Sequence, residues 1–565
     1  MRRRLVALSV LLGGLLGAGT VLAASASAHA SVVASDPVDG ARLAAAPSSV
    51  TIAFDEAVGL GGGGYLHVVD SHGTRVDSGS AAHPGGDGRK VAVALKAGLG
   101  DGTYTESFRV VSADSHPVAG TVRFVVGNGV LSAAPSGTST VNHTVSTALD
   151  LSRWVSFAGF AALGGGWLLL TVWPQGRDER RARRLVWSGW GLVALGAVLE
   201  VLLQGPYTAG TGLGDLANRT LLDATLHSNY GHYHSLRLLL LGALAVLLGW
   251  ALSRERSRIE HVAWPLAAGV ALTFSGAGHA ATTSPAALSI AADAVHVTSM
   301  AAWIGGLTML LFAVLPRREP GELAAVLPVV SRVSLTAVVL MAVTGTYAAW
   351  RGVGTWDAVF STAYGEIVAF KVLLFVVIIA VATVSRRVVQ QRWAPMRVAY
   401  AMSDTELSAE SEAPDVPLAV SAVRIRRAVL AEVLVAFVVL GATSLLVAQP
   451  RGKEALAVAH QRPVSASSAL GKGQSVTVTI DPGTHGTVTA NVEVDGGAKP
   501  TSVTGTAALP SKQLGPIPLG LRPTGPDQYG ASGVQLPSAG DWVIQLIVST
   551  SEFDATTTDV HLHLY

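Results

Sequence analysis

Ser289-Ile-Ala-Ala-Asp293-Ala-Val-His296-Val-Thr-Ser-Met300-Ala-Ala-Trp-Ile-Gly305-Gly306-Leu-Thr-Met-Leu-Leu-Phe-Ala-Val-Leu315 is long and apolar enough to cross a bilayer, yet holds two ionisable side chains in its first half. A crossing needs roughly 20 apolar residues. Ionisable groups within such a run are costly to bury and are functional candidates by default. Asp293, His296 and Met300 fall at i, i+3 and i+7, on one helical face. His279 precedes them across a short loop, so the four side chains are expected to converge near one membrane surface. Imidazole and thioether together suit Cu(I), with the carboxylate capturing metal or orienting a histidine. A helix–helix hydrogen bond with no ligand is the plainer reading of the same residues.

Seven further apolar runs, at about 152–173, 185–204, 235–252, 261–280, 324–348, 366–385 and 428–448, complete an expected eight-helix transmembrane domain. Arginines mark alternate linkers: Arg177, Arg180, Arg181, Arg183 and Arg184; Arg254, Arg256 and Arg258; Arg317 and Arg318; Arg386, Arg387, Arg392 and Arg397 with Arg424, Arg426 and Arg427. The positive-inside rule makes these linkers cytoplasmic and puts both chain ends outside. Ala161-Ala162 with Gly165-Gly166 is echoed by Ala301-Ala302 with Gly305-Gly306, and Gly205-Pro-Tyr207 by Gly345-Thr-Tyr347. Tyr230-Gly231 lies seven residues before Arg237, as Tyr364-Gly365 lies seven before Lys371. These echoes suggest a 4+4 parallel repeat, an arrangement in which transporters place substrate between the halves.

Composition agrees with this reading. Of 565 residues half are apolar and 14% charged, against about a quarter charged in ordinary soluble proteins; the mean hydropathy is +0.45. A formal charge of +2 excludes a generally basic nucleic-acid binder, and the absence of cysteine excludes disulfides, thiolate metal sites and cysteine nucleophiles. No phosphate-binding loop, nucleophile elbow or paired-carboxylate signature stands out, so no enzyme is expected. Glu200, Lys371, Arg332 and Glu432 lie near expected span ends, where they snorkel or pair structurally. The stretch 227–234 reads as a flexible, histidine-rich external loop, and the acidic run 404–415 as disordered.

Arg2-Arg3-Arg4 followed by an apolar stretch and small residues reads as a signal peptide over 1–28. Cleavage after Ala28 leaves His29 first, whereas cleavage after Ala30 discards it. Short β-rich runs at 50–54, 65–70, 90–95, 104–111 and 121–126 predict an all-β sandwich or barrel over 29–128, joined by a linker (129–150) to a membrane domain at 151–449. β-patterned runs at 475–480, 487–494, 542–548 and 559–564 predict a second sandwich over 464–565, also extracytoplasmic.

A mature N-terminal His29 offers its amine and ring as a chelate, and Asp114-Ser115-His116 adds a carboxylate and an imidazole at i and i+2. Such nitrogen-rich tetragonal coordination suits Cu(II) best among divalent ions. His67, His72, His83, His485, His561 and His563 read as surface residues.

His29-Ala-Ser-Val-Val-Ala-Ser-Asp-Pro37-Val-Asp-Gly40 and Ser112-Ala-Asp114-Ser-His116-Pro117-Val-Ala-Gly120 resemble the opening and ligand turn of the CopC copper-binding family. The resemblance implies a cupredoxin-like (Ig-like) barrel holding Cu(II) through His29, Asp114 and His116. The second, Met-rich Cu(I) site of some members is not expected, because 29–128 contains no methionine. Gly278-His279, Trp303-Ile-Gly305-Gly306-Leu307, Ser331-Arg332 through Thr344-Gly345, and Thr362-Ala-Tyr364-Gly365 with Lys371 resemble the CopD copper-resistance membrane family. Gly540-Asp-Trp542 and Thr550-Ser551-Glu552-Phe553-Asp554 are similar to a YtkA-like domain. That order resembles the fused copper transport proteins of the YcnJ type. It implies a multi-pass protein of the plasma membrane that takes copper inward and serves copper homeostasis and resistance. Its expected partners are the copper ion and the lipid bilayer, with no nucleic acid; an external copper donor is not legible in the residues. Two rival expectations remain: a haem-containing electron-transfer module that reduces copper, with His279 and His296 on the haem, and a copper buffer or tolerance factor that binds without transport.

Overall fold

The computed structural model describes residues 30–61, 63–113, 115–128, 142–252, 260–283, 285–403, 418–471, 473–551 and 554–565. His29, Asp114, the expected signal peptide and the acidic run 404–415 lie outside the described residues.

The first domain contains β1 (Val32–Asp36), β2 (Ala41–Leu43), β3 (Ser49–Phe54), β4 (Tyr65–Val69), β5 (Asp77–Ala82), β6 (Lys90–Leu95), β7 (Gly102–Val111) and β8 (Pro117–Val126). They form two four-stranded sheets, ordered β1-β3-β6-β5 and β2-β8-β7-β4. Strand alternation sends Val50, Ile52 and Phe54 of β3, Leu66 and Val68 of β4, and Tyr104, Phe108 and Val110 of β7 into a shared core. The runs expected from sequence are all strands. β1, β2 and β5 were not anticipated, because their mostly exposed or half-buried side chains show no apolar alternation. The β7–β8 hairpin is the longest pairing of this domain, with Val111 opposite Pro117 at its tip. That tip is the 112–116 turn.

The helical part comprises α1 (His143–Gly164), α2 (Gly166–Thr171), α3 (Arg180–Ala209), α4 (Arg219–Leu226), α5 (Asn229–Ala251), α6 (Glu260–Gly276), α7 (Ala286–Met309), α8 (Pro320–Val353), α9 (Trp356–Ser361), α10 (Ala363–Ser403) and α11 (Leu418–Val447). Asn142 caps α1, its Oδ1 accepting from Thr144 N and Val145 N at 3.1 and 3.2 Å. Among the described residues six helices are long and apolar enough to cross a membrane: Arg180–Ala209, Asn229–Ala251, Ala286–Val314, Pro320–Val353, Ala363–Gln391 and Ile425–Val447. The eight expected spans are thus met at six. The apolar part of α6, Ala263–Gly276, is shorter, and α1 carries Asp150, Arg153 and several hydroxyl side chains that dilute its apolar character.

α1 packs on α3, α7 and α11, while α7 also packs on α6 and α8. The α1–α7 crossing is made by the two echoed Gly-Gly segments: a Cβ on Gly165 would lie 2.6 Å from Gly305 O. Gly231 and Gly365, from another of the echoed pairs, sit at the starts of α5 and α10. Each closes on the short helix before it, Gly231 against Thr225 and Leu226 and Gly365 against Ala358 and Val359.

Two expectations are corrected. The stretch 227–234 is mostly helix, because Ser228 caps α5 by accepting from Gly231 N at 3.2 Å. The linker expected at 386–427 is helical at both ends, α10 continuing to Ser403 and α11 starting at Leu418; its charged residues hid the helical continuation.

Beyond α12 (Gly452–Gln461), the chain forms β9 (Val464–Gly471), β10 (Gln474–Asp481), β11 (Gly486–Asp495), β12 (Ser502–Leu509), β13 (Leu514–Pro518), β14 (Arg522–Gly525), β15 (Gln528–Leu536), β16 (Gly540–Ser549) and β17 (Ala555–Leu564). Sheets ordered β14-β15-β11-β10-β9 and β13-β12-β16-β17 enclose Val478, Ile480, Trp542, Ile544 and Leu562.

Candidate metal site at the domain junction

The β7–β8 turn is closed by Ser112, whose N donates to His116 O at 2.9 Å and whose Oγ donates to the same oxygen at 3.1 Å. Ser115 adopts a φ of 72°, an unusual value for a residue other than glycine. Ala113 N donates to Glu56 Oε1 at 3.2 Å. The turn is therefore fixed from both sides before any ion binds. His116 leaves it buried, at 7% exposure.

His116 is buried by the membrane domain. Its ring stacks on His279, with centroids 5.1 Å apart and planes 16° from parallel, and the edge of Tyr207 approaches it at 6.5 Å. His116 Nε2 lies 3.1 Å from Val447 O at the end of α11. A carbonyl only accepts, so Nε2 carries the hydrogen and Nδ1 the lone pair that a metal needs. Gln204 Nε2 of α3 donates to Ser115 O at 2.7 Å, and Arg109 Nε of β7 donates to Thr208 O at 2.6 Å. Arg109 Nη2 adds a bond to Tyr207 O at 3.3 Å. Arg451, beyond α11, donates to His279 O, which also accepts from Thr283 Oγ1 at 2.8 Å. The turn, the α3 end, the loop after α6 and the α11 end thus meet at one place. That end of the bundle is opposite the arginine-rich segments at Arg180, Arg317 and Arg427.

The other intramembrane candidates are held separately. His296 Nδ1 donates to Thr344 Oγ1 at 2.9 Å, because that hydroxyl already donates to Leu340 O at 2.7 Å. Asp293 has Ser275 and Lys371 as its polar neighbours. Met300, 8% exposed, is part of the bundle core. Among the described residues no three His, Asp or Glu side chains are grouped closely enough to hold a metal ion. His29 and Asp114, the expected companions of His116, are outside them.

Two arrangements are not encoded by any local pattern of residues. Gln204 and Arg109 help form the junction, yet nothing local distinguishes them from ordinary helix-end and strand residues; Tyr207 is marked only by its place in the echoed Gly205-Pro-Tyr207. Glu200 and His234 form a buried pair, Oε2 to Nε2, at 2.9 Å. A glutamate inside the apolar run 193–203 was the available clue; its placement near a span end disguised it.

A CopC domain model matches residues 32–127, a Copper resistance protein D-like, N-terminal domain model matches 144–289, and a Copper resistance protein D model matches 324–446. The copper resistance protein C of Xanthomonas campestris pv. juglandis is 34% identical over 113 residues, covering 19% of this chain and 88% of that protein. The chain belongs to the CopC family and joins that domain to copper resistance protein D domains. The copper transport protein CutJ of Bacillus subtilis is 29% identical to this CopC–CopD chain over 370 residues, 63% of this chain and 67% of that protein. The CopC crystal structure from Methylosinus trichosporium OB3b is 28% identical, covering 17% of this chain and 93% of that one, with a TM-score of 0.16. The CopC match ends just after β8, and the first CopD match begins within α1. The His116–His279 contact therefore joins a CopC residue to a CopD residue.

Proposed function

We propose that this protein captures Cu(II) outside the plasma membrane and passes copper inward, with both β-domains extracytoplasmic. Cu(II) is held by the His29 amine and ring, Asp114 and His116 Nδ1, then exchanged onto His279. Reduction to Cu(I) by an external reductant suits it to the path past His296 and Met300, with Asp293 assisting capture. No covalent catalysis is involved. The segments 143–276 and 286–447 act as parallel halves with the path between them, and the YtkA-like C-terminal domain stands on the same side as the CopC domain.

The observation supporting this reading best is the stacking of His116 on His279, which puts the metal-binding turn against the membrane domain. The arginine-rich segments at the far end of the bundle support the orientation. Copper accumulation by proteoliposomes containing the full chain tests it. The wild-type chain accumulates copper and His296→Ala reduces the initial rate about tenfold, the lower range for loss of a metal-site contact. Equal accumulation by both chains contradicts the path, and binding without accumulation makes the protein a buffer.

A further inference from the structure

Glu200, His234 and Arg237 are all nearly inaccessible, at 5%, 1% and 1% exposure, inside the apolar bundle. His234 Nδ1 lies 2.8 Å from Tyr230 O and must donate to that carbonyl, so its exchangeable position is Nε2. Nε2 is 2.9 Å from Glu200 Oε2. Carboxylate and imidazole therefore share a single proton along that contact, whichever atom carries it. Ser156 of α1 donates to Glu200 Oε1, and Tyr230 OH donates to Glu200 Oε2 at 3.4 Å. Arg237 Nη1 stands farther away, 3.9 Å from Glu200 Oε2. Arg237 is anchored elsewhere, with Nε donating to Thr273 Oγ1 at 3.0 Å and the guanidinium 3.7 Å from the Phe274 ring centre. Arg153 of α1 is the remaining nearby charge and pairs with Asp150 at 3.2 Å.

A purely structural ion pair would put the permanent cation at the short contact. Here the short contact belongs to imidazole, the side chain that exchanges a proton near neutral pH. With the proton, Glu200, His234 and Arg237 carry a net positive charge; without it their charges cancel. A second cation entering the same low-dielectric bundle favours the deprotonated form.

The pair is also linked to both sides of the domain junction. Glu200 is one helical turn from Gln204, which holds Ser115 of the metal-binding turn. Arg237 holds Thr273 on α6, the helix that leads to His279.

We propose that Glu200 and His234 form an intramembrane proton-binding site whose proton is expelled as copper enters, coupling copper movement to proton counterflow. The proposal rests on the transport reading above. The test uses proteoliposomes containing the full chain and lumenal pyranine, given external copper sulfate with ascorbate. Copper entry is expected to make the lumen alkaline, and Glu200→Gln, which keeps size and hydrogen bonding, is expected to abolish that change. His234→Gln provides a second variant should the first fail to fold. Copper entry with no pH change, or with a change that persists in both folded variants, overturns the coupling and leaves the transport reading intact. No copper entry by the wild-type chain overturns the transport reading. Counterflow then falls with it, and whether copper binding expels the Glu200–His234 proton is decided by infrared titration of the purified full chain, since linkage is reciprocal. A carboxyl or imidazole protonation step that is absent in Glu200→Gln and moves to lower pH when copper is added upholds the expulsion; no such step, or one indifferent to copper, overturns it.

Discussion

His116, at the tip of a soluble hairpin, lies ring against ring with His279 of the helical bundle, 5.1 Å between centroids. The Nε2–H to Val447 O contact fixes the tautomer of His116, and the Gln204 to Ser115 contact fixes the backbone beside it. The 112–116 turn is thereby docked onto the helical bundle. Its position follows from a long β7–β8 hairpin meeting three helix ends.

The N-terminus of the mature protein decides how strongly the turn binds. Intact-mass analysis is expected to find His29 as the first residue, completing the chelate with Asp114 and His116. Acetylating that terminus should weaken Cu(II) binding by at least about tenfold, or about 1.4 kcal/mol. A chain beginning at Ser31 with unchanged affinity would contradict the assignment.

Glu106 gives the first β-domain a pH-dependent stability. It is fully buried on β7, and burial followed by repulsion from Asp39 and Asp36 pushes its carboxyl from 4.5 up to about 9. The folded state binds this proton more tightly than the unfolded chain does. Its contribution is therefore complete below about 4.5 and is lost as pH rises through about 9. Limited proteolysis of the full chain at increasing temperature should show the β-domain opening earlier as pH rises through this range. Glu106→Gln should flatten that dependence; an identical slope in the variant rejects the cause.

The α1–α7 crossing tolerates no side chain at its closest point. A Cβ on Gly305 would meet backbone atoms of Ala161, Gly164 and Gly165, which cannot rotate away. Overpacking usually costs about 1–3 kcal/mol, and Gly305→Val is expected at or above the upper end. Thermal unfolding in detergent measures this; a melting temperature equal to that of the wild-type chain would show that the helices separate easily.

Much of this architecture was legible in the residues, for identifiable reasons. Strands such as β3 and β6 alternate apolar and polar side chains, and the long spans repeat apolar residues without interruption, so each carries its own local mark. β1 and β5 lack that mark because their side chains are largely exposed. α1 departs from a simple span because Asp150, Arg153 and Ser156 face protein partners there. His116 and His279 were each identifiable as candidates, but their contact depends on how two domains dock, which no local pattern encodes. Glu200 and His234 are similarly distant in sequence; only the packing of α3 against α5 makes them one unit.

The central claim, that copper crosses from domain to domain at the stacked histidines, is tested most directly by a double-mutant cycle on initial copper uptake. His116→Ala and His279→Ala should each slow uptake about tenfold or more, and the double variant should be no slower than the more impaired single one, because both remove the same step. Losses that multiply in the double variant, or full uptake by His279→Ala, would contradict transfer at this contact.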